Sequence, residues 1–170
     1  MPPYVYALIV HGVIGGIDVF LNHELLARLP SRPEAAGEER MHSARELLFA
    51  LLFLSLAWWE WHGPFVWWIV ALFVLEVLVS ARDLVIEGDV RVLPVTERVL
   101  HLFLFMNLGA MYVLTGQALL AWHDLPAGLA PVDHGWGSWV LSAMALGALA
   151  WAVRDGVAAL RLGKLKASAV

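Results

Sequence analysis

Five apolar runs, each long enough to cross a bilayer, take up nearly the whole chain: roughly Tyr4–Leu26, Met41–Trp61, Phe65–Ile86, Val99–Trp122 and Trp136–Leu160. A spanning helix needs about 20 such residues. With 61% hydrophobic residues and a positive mean hydropathy, the composition lies far above that of a soluble domain. Little is left for a separate soluble unit. The expected fold is therefore an all-α integral membrane protein, a single transmembrane domain over residues 1–170 with five spans.

The first run is preceded by Met-Pro-Pro-Tyr, with no basic segment, and carries Asp18 and His23. It reads as a retained span rather than a cleaved signal peptide. The chain has no cysteine, which excludes disulfides, thiolate metal sites and cysteine-ligated iron–sulfur clusters.

All eleven basic residues fall on one side of a five-span arrangement. Arg28, Arg32, Arg40 and Arg45 flank the first connection, Arg82, Arg91 and Arg98 the third, and Arg154, Arg161, Lys164 and Lys166 the end of the fifth run. The opposite side has Glu60, Asp124 and Asp133 but no Lys or Arg. The positive-inside bias then puts the N-terminus outside and the C-terminus in the cytoplasm, as for a bacterial inner-membrane protein. Eight of the nine tryptophans lie near the outer ends, where an aromatic belt belongs. A net charge of −4 gives no reason to expect nucleic-acid binding.

Polar residues inside these runs repeat. His11, Asp18 and Asn22 on the first run are matched by Glu76, Asp83 and Glu87 on the third, each 65 positions later. Steps of 7 and 4 keep each set within about 40° of one helix face. Each run is followed by Leu-Pro and then by Glu-x-x-x-His: Glu38 and His42 in one case, Glu97 and His101 in the other. The chain thus reads as two copies of a helical hairpin, repeat A over about 4–61 and repeat B over about 65–122. Spans one to four would form a pseudo-twofold four-helix bundle, related by an axis along the membrane normal. The fifth helix, about 136–161, is rich in Ala and Gly. It would serve as a buttress outside the bundle and as a contact in a homo-oligomer.

Ionisable groups inside a membrane are costly and face a protein interior or cavity. Four spans bring acids and histidines to one membrane level near the cytoplasmic leaflet. Carboxylates with imidazoles on facing helices suit a pair of transition-metal ions, with iron first and manganese or zinc as alternatives. The expected ligands are Asp18, Glu38, Glu39, His42, Asp83, Glu87, Glu97 and His101. His11, Asn22 and Arg45 would support them, and Glu46 and Glu76, placed deeper, would move protons. Glu38 and Glu39 compete for one inward position. Glu87 and Glu97 have an alternative in pairing with Arg82, Arg91 or Arg98. His23 and Glu24 lie off the main stripe and read as interfacial. Thr96 reads as a helix N-cap.

Glu39-Arg40-Met41-His42 resembles the Glu-x-x-His element of the four-helix di-iron carboxylate proteins of the ferritin-like type, which also take a Glu from each of two other helices. The fourth span departs from it, because Glu97 and His101 are four apart, and the odd spans carry Asp18 and Asp83 where Glu would stand. The resemblance implies a metal pair and oxygen chemistry. The expected function is a small membrane metalloenzyme that oxidises a lipid or other apolar substrate, with electrons from a separate redox donor. A dinuclear hydrolase of lipid phosphates could use the same ligands. Three other readings stand beside it: a b-type haem protein with His42 and His101 as axial ligands, a metal or proton transporter, and a metal-free acid–base lipid isomerase.

Overall fold

The computed structural model describes residues 1–168. It is mostly helical, with α1 at Pro3–Asp18, α2 at Ala36–Trp58, α3 at Val66–Val90, α4 at Val95–His123 and α5 at Trp136–Ser168. Helix α1 runs on into a π-helical segment, Val19–Ala27, which ends at Arg28 with φ 51°. Among the described residues, four stretches, Pro3–Ser31, Pro33–Trp58, Val95–His123 and Trp136–Ser168, are long and apolar enough to cross a membrane. Helix α3 has the length, but Glu76, Arg82 and Asp83 lie so close together that every 18-residue stretch of it holds at least three charges.

The packing follows the repeat. Helix α1 lies along α4 and α2 along α3, two equivalent contacts between hairpins, whereas α3 touches α4 only lightly. Leu8, Leu52, Leu56, Ile69, Met111 and Leu141 are fully buried between the helices. Outward positions are apolar too: Phe20, Leu78, Leu120 and Leu146 are all more than half exposed.

The most extensive packing of helix α5 is against α2, and it also reaches α1. Ala145, Ala152 and Ala159, seven apart, are buried. Close approach of small residues exposes backbone carbonyls to neighbouring hydroxyls. Ser43 Oγ donates to the Ala152 carbonyl at 2.7 Å, and Ser138 Oγ to the Ala57 carbonyl at 2.6 Å. A Cβ on Gly12 of α1 would stand 2.8 Å from the Met144 sulfur of α5, so a larger residue there would have to displace the flexible Met144 side chain.

The second run ends as helix at Trp58, and Trp59–His62 (β1) pairs antiparallel with Gly128–Pro131 (β2), Trp59 opposite Pro131 and His62 opposite Gly128. A sequence reading in helices and loops misses this ribbon. It forms because both outer loops end at the same place with unpaired backbone groups, which must be satisfied. Gly63, at φ 58°, turns the chain where a Cβ would sit 2.9 Å from the Ala127 backbone. Thr96 is not the N-cap of α4, which starts at Val95 after Pro94. Its hydroxyl donates instead to Asn22 Oδ1 at 2.7 Å.

Candidate metal centre

Asp18, Glu38, Glu39, His42, Asp83, Glu87 and Glu97 are each at most 1% exposed, and the His101 side chain is 12% exposed. Such burial of charge is tolerated only with partners. The partners cross between the repeats. His101 Nε2 lies 3.2 Å from Asp18 Oδ2, and His42 Nε2 lies 3.4 Å from Asp83 Oδ2. Each histidine of one hairpin thus meets the aspartate of the other. The two histidines considered as a haem pair both face carboxylates.

Two arginines break this symmetry. Arg45 Nη1 lies 3.1 Å from Asp83 Oδ2. Arg91, in the α3–α4 connection, grips Glu38 through Nε and Nη2 at 2.6–3.3 Å. It grips Glu97 through Nη1 and Nη2 at 2.7 and 2.5 Å. Burial opposes the charge on Arg91, but the bonds to Glu97 and Glu38 outweigh it and push its pKa above the usual guanidinium range. Of the alternatives for Glu97, the arginine pairing is therefore present, and Glu38 shares it. A carboxylate has about four lone-pair sites, so these contacts leave room for a further ligand role.

Among the described residues, three groups of side chains converge closely enough to hold a cation: Glu38, His42 and Glu87; Glu87, Glu97 and His101; and Asp18, His23 and His101. In each, one ligand atom per residue lies within 4.8 Å of the others. Glu87 belongs to two groups and links the Glu-x-x-x-His elements of both hairpins. The buried imidazole nitrogens of His42 and His23, Nε2 of His101, Oε2 of Glu87 and Oδ1 of Asp83 have no hydrogen-bond partner. His42 and His101 approach their aspartates without the alignment a hydrogen bond needs. Buried polar atoms left in this way call for an ion or water. Asp18, Glu38, Asp83, Glu87 and Glu97 offer up to five negative charges against two on Arg45 and Arg91. The balance must come from imidazolium, from carboxyl protons or from bound cations. The donor set of carboxylate oxygen and imidazole nitrogen fits iron, manganese or zinc.

Other expected residues fall elsewhere. Glu39 lies outside these groups and has Asp155 of α5, His42 and Arg154 as charged neighbours. Glu38 and Glu39 are about 100° apart on a helix, so only one can face the centre, and the Glu-x-x-His pairing is not the one used. Glu46 shares the Glu39 side and lines a cavity. Glu76 accepts from Ser80 Oγ at 2.5 Å and from the Tyr112 hydroxyl, so both its oxygens are satisfied by hydroxyls. His11 stacks on Phe49 with centroids 4.5 Å apart. Asn22 donates to Asp18 Oδ1 at 2.7 Å. Arg154 pairs with neighbouring Asp155 and also with Glu24.

His23 is the residue that sequence reasoning misplaced. It is 2% exposed rather than interfacial and stacks on His42 with centroids 4.2 Å apart. On a regular α-helix it would lie about 140° from Asp18. The π-helical segment links residues five apart and turns it inward. The only hint in the sequence is its five-residue spacing from Asp18.

A cavity of about 330 Å³ adjoins the centre. Asp18, Asp83, Glu87, His101 and Arg45 line it. So do Gly16, Phe49, Phe53 and Leu108, and α5 contributes Met144 and Trp151. Phe20, Leu84 and Phe105 line it too while being 58%, 51% and 45% exposed, so it reaches the apolar outer surface. Compared with protein-family models, with curated proteins and with solved structures, the chain matches none of them.

Proposed function

We propose that this chain is a small integral membrane metalloenzyme that oxidises a lipid or other apolar substrate at a carboxylate/histidine centre with seats for two ions. All five helices span the bilayer in this reading, α3 included, because its carboxylates Glu76, Asp83 and Glu87 face the interior, while the exposed Arg82 and Asp89 lie toward its cytoplasmic end. Glu76, Asp83 and Glu87 are each 1% exposed, while Val74, Leu78 and Val85 point outward. Apolar outward faces on so many helices form a surface that water solvates poorly. The distribution of basic residues supports a centre near the cytoplasmic leaflet, with the N-terminus outside.

One observation carries the reading: Glu87 lies within ligand reach of both Glu38/His42 and Glu97/His101 and so joins the ligand sets of the two hairpins. Glu38, His42 and Glu87 would hold one ion, and His101 with neighbouring carboxylates the other. When bound, iron would supply oxygen activation. The protein's part is to hold the carboxylates, exclude water and orient the substrate. Arg91 holds Glu38 and Glu97 in register, and Arg45 and Asn22 do the same for Asp83 and Asp18. The cavity has about twice the volume that accommodates a benzene, enough for a segment of roughly a dozen carbons. Its exposed rim residues provide entry from the membrane. Electrons would come from a separate redox donor.

The test is metal content. Full-length protein reconstituted with Fe²⁺ without oxygen and then desalted should retain close to two ions per chain, and Glu87→Gln one or fewer. Protein that retains no stoichiometric metal refutes the proposal. Oxygen consumption with lipid-soluble substrates then tests the reaction class.

A further inference from the structure

The two halves of the centre are not equivalent, and the difference lies in where fixed positive charge is supplied. Asp83 has Arg45 at 3.1 Å, and Glu38 and Glu97 have Arg91. Among the described residues, no Arg or Lys lies within ion-pair distance of Asp18, whose close partners are His101 and His23. The repeat explains how this arises. Under the offset of 59 between the even helices, Arg45 corresponds to Leu104. Under the offset of 65 between the odd helices, His23 corresponds to Gly88. Repeat A therefore supplies both an arginine for Asp83 and an extra imidazole for Asp18.

We propose that Asp18, His23 and His101 form a nitrogen-rich seat for one transition-metal ion, with His23 as a ligand. This rests on the metalloenzyme reading above and assigns the ligands of its second ion. Nε2 of His101 and Nε2 of His23 lie 3.2 and 3.8 Å from the same oxygen, Asp18 Oδ2. Ligands bound at about 2.1 Å stand roughly 3.0–3.4 Å apart around a metal, so the three atoms are near the edges of one coordination sphere. Neither nitrogen has a hydrogen-bond partner. Oδ1 of Asp18 is occupied by Asn22 at 2.7 Å, which leaves Oδ2 for the ion and fixes the carboxylate as outer hydrogen bonds do in metal sites. Stacking on His42 holds the His23 ring in place, and Glu97 Oε1, 3.3 Å from the same Nε2, lies within reach of the seat as a further oxygen.

Two histidines and one carboxylate, with further positions open, are the ligand set of non-haem ferrous oxygenases. Asp18 and His101 line the cavity and His23 does not, so the seat adjoins the substrate space. The Glu38–His42–Glu87 seat has one imidazole and two carboxylates, a harder set. The two ions are then chemically distinct, and the Asp18 seat has two of its three ligands on the cavity wall, whereas the other seat has one, Glu87.

Cu²⁺ is the probe, because electron paramagnetic resonance counts imidazole nitrogens coupled to it. Full-length protein in detergent should give a two-imidazole copper signal that survives Glu38→Gln and His42→Gln. In His23→Gln it should collapse to one imidazole, with copper affinity at that seat at least about tenfold lower. A wild-type spectrum with only single-imidazole copper, or a two-imidazole signal that persists in His23→Gln, overturns the assignment. If His23→Gln fails to fold, as judged by circular dichroism, the wild-type nitrogen count decides alone. Wild-type protein that takes up no stoichiometric metal overturns the metalloenzyme reading and this seat with it. Protein that loads normally but ignores His23→Gln overturns only the seat.

Discussion

Replacing Arg91 with glutamine strands two carboxylates at once. Glu38 and Glu97 have side chains 0% exposed, and the Arg91 side chain is only 9% exposed. One guanidinium serves both, with contacts of 2.5–3.3 Å to all four oxygens. Removing one partner of a buried charge pair costs about 3–5 kcal/mol. For a chain of this length each kcal/mol moves the melting temperature by about 2–4 °C, so Arg91→Gln should melt roughly 6–20 °C below wild type. The assay is helical circular dichroism on heating in detergent with a chelator present. Adding Glu38→Gln and Glu97→Gln to the variant removes the stranded charges and should recover more than half of the loss. Added Fe²⁺ should recover part of it as well, because a bound cation replaces the missing charge. If Arg91→Gln melts within about 2 °C of wild type, or if the triple variant is no better than the single one, stranded charge is not the cause and the argument fails.

Three further outcomes test other parts of the molecule. Gly16 lines the cavity and a Cβ there meets nothing within 4 Å, so Gly16→Leu should fold. It should weaken binding of an apolar fluorescent probe about tenfold or more at unchanged metal content; unchanged probe binding would show that the cavity is not the substrate site. Tyr112→Phe removes one of two hydroxyls on buried Glu76 and should cost about 1–3 kcal/mol, read in the same melting assay, with no change in metal content. His134, beside Tyr4 in the outer cap at 3.4 Å, has its pKa lowered by burial. A histidine kept neutral in the fold binds fewer protons than when unfolded, so stability falls as pH drops below the unfolded value of about 6.5. His134→Phe should reduce that part of the acid slope, which melting curves between pH 5 and pH 8 would measure.

Much of this molecule follows from local rules that sequence obeys. Helices long and apolar enough to cross a membrane are set by run length and hydropathy, which need no knowledge of neighbours. The inward face of α3 was legible because Glu76, Asp83 and Glu87 recur at helical spacing and charge avoids lipid. The offsets between repeats pointed to Asp18, His42, Asp83 and His101, and these four meet in two crossed pairs.

Other features depend on contacts between distant segments or on departures from the α-helical period. Glu38 and Glu39 have the same local merit, and only the placement of α5 beside α2 decides which of them faces the centre. His23 comes inward because the backbone leaves the 3.6-residue period, and a pattern search built on that period places it on the wrong side. Arg91 lies in a short connection with several acids in reach, and its choice of Glu38 and Glu97 is a matter of where α2 and α4 begin in space. Spacing along one helix is written in the chain, whereas the charge partner of a buried group is settled by which helices pack together and how their turns are wound.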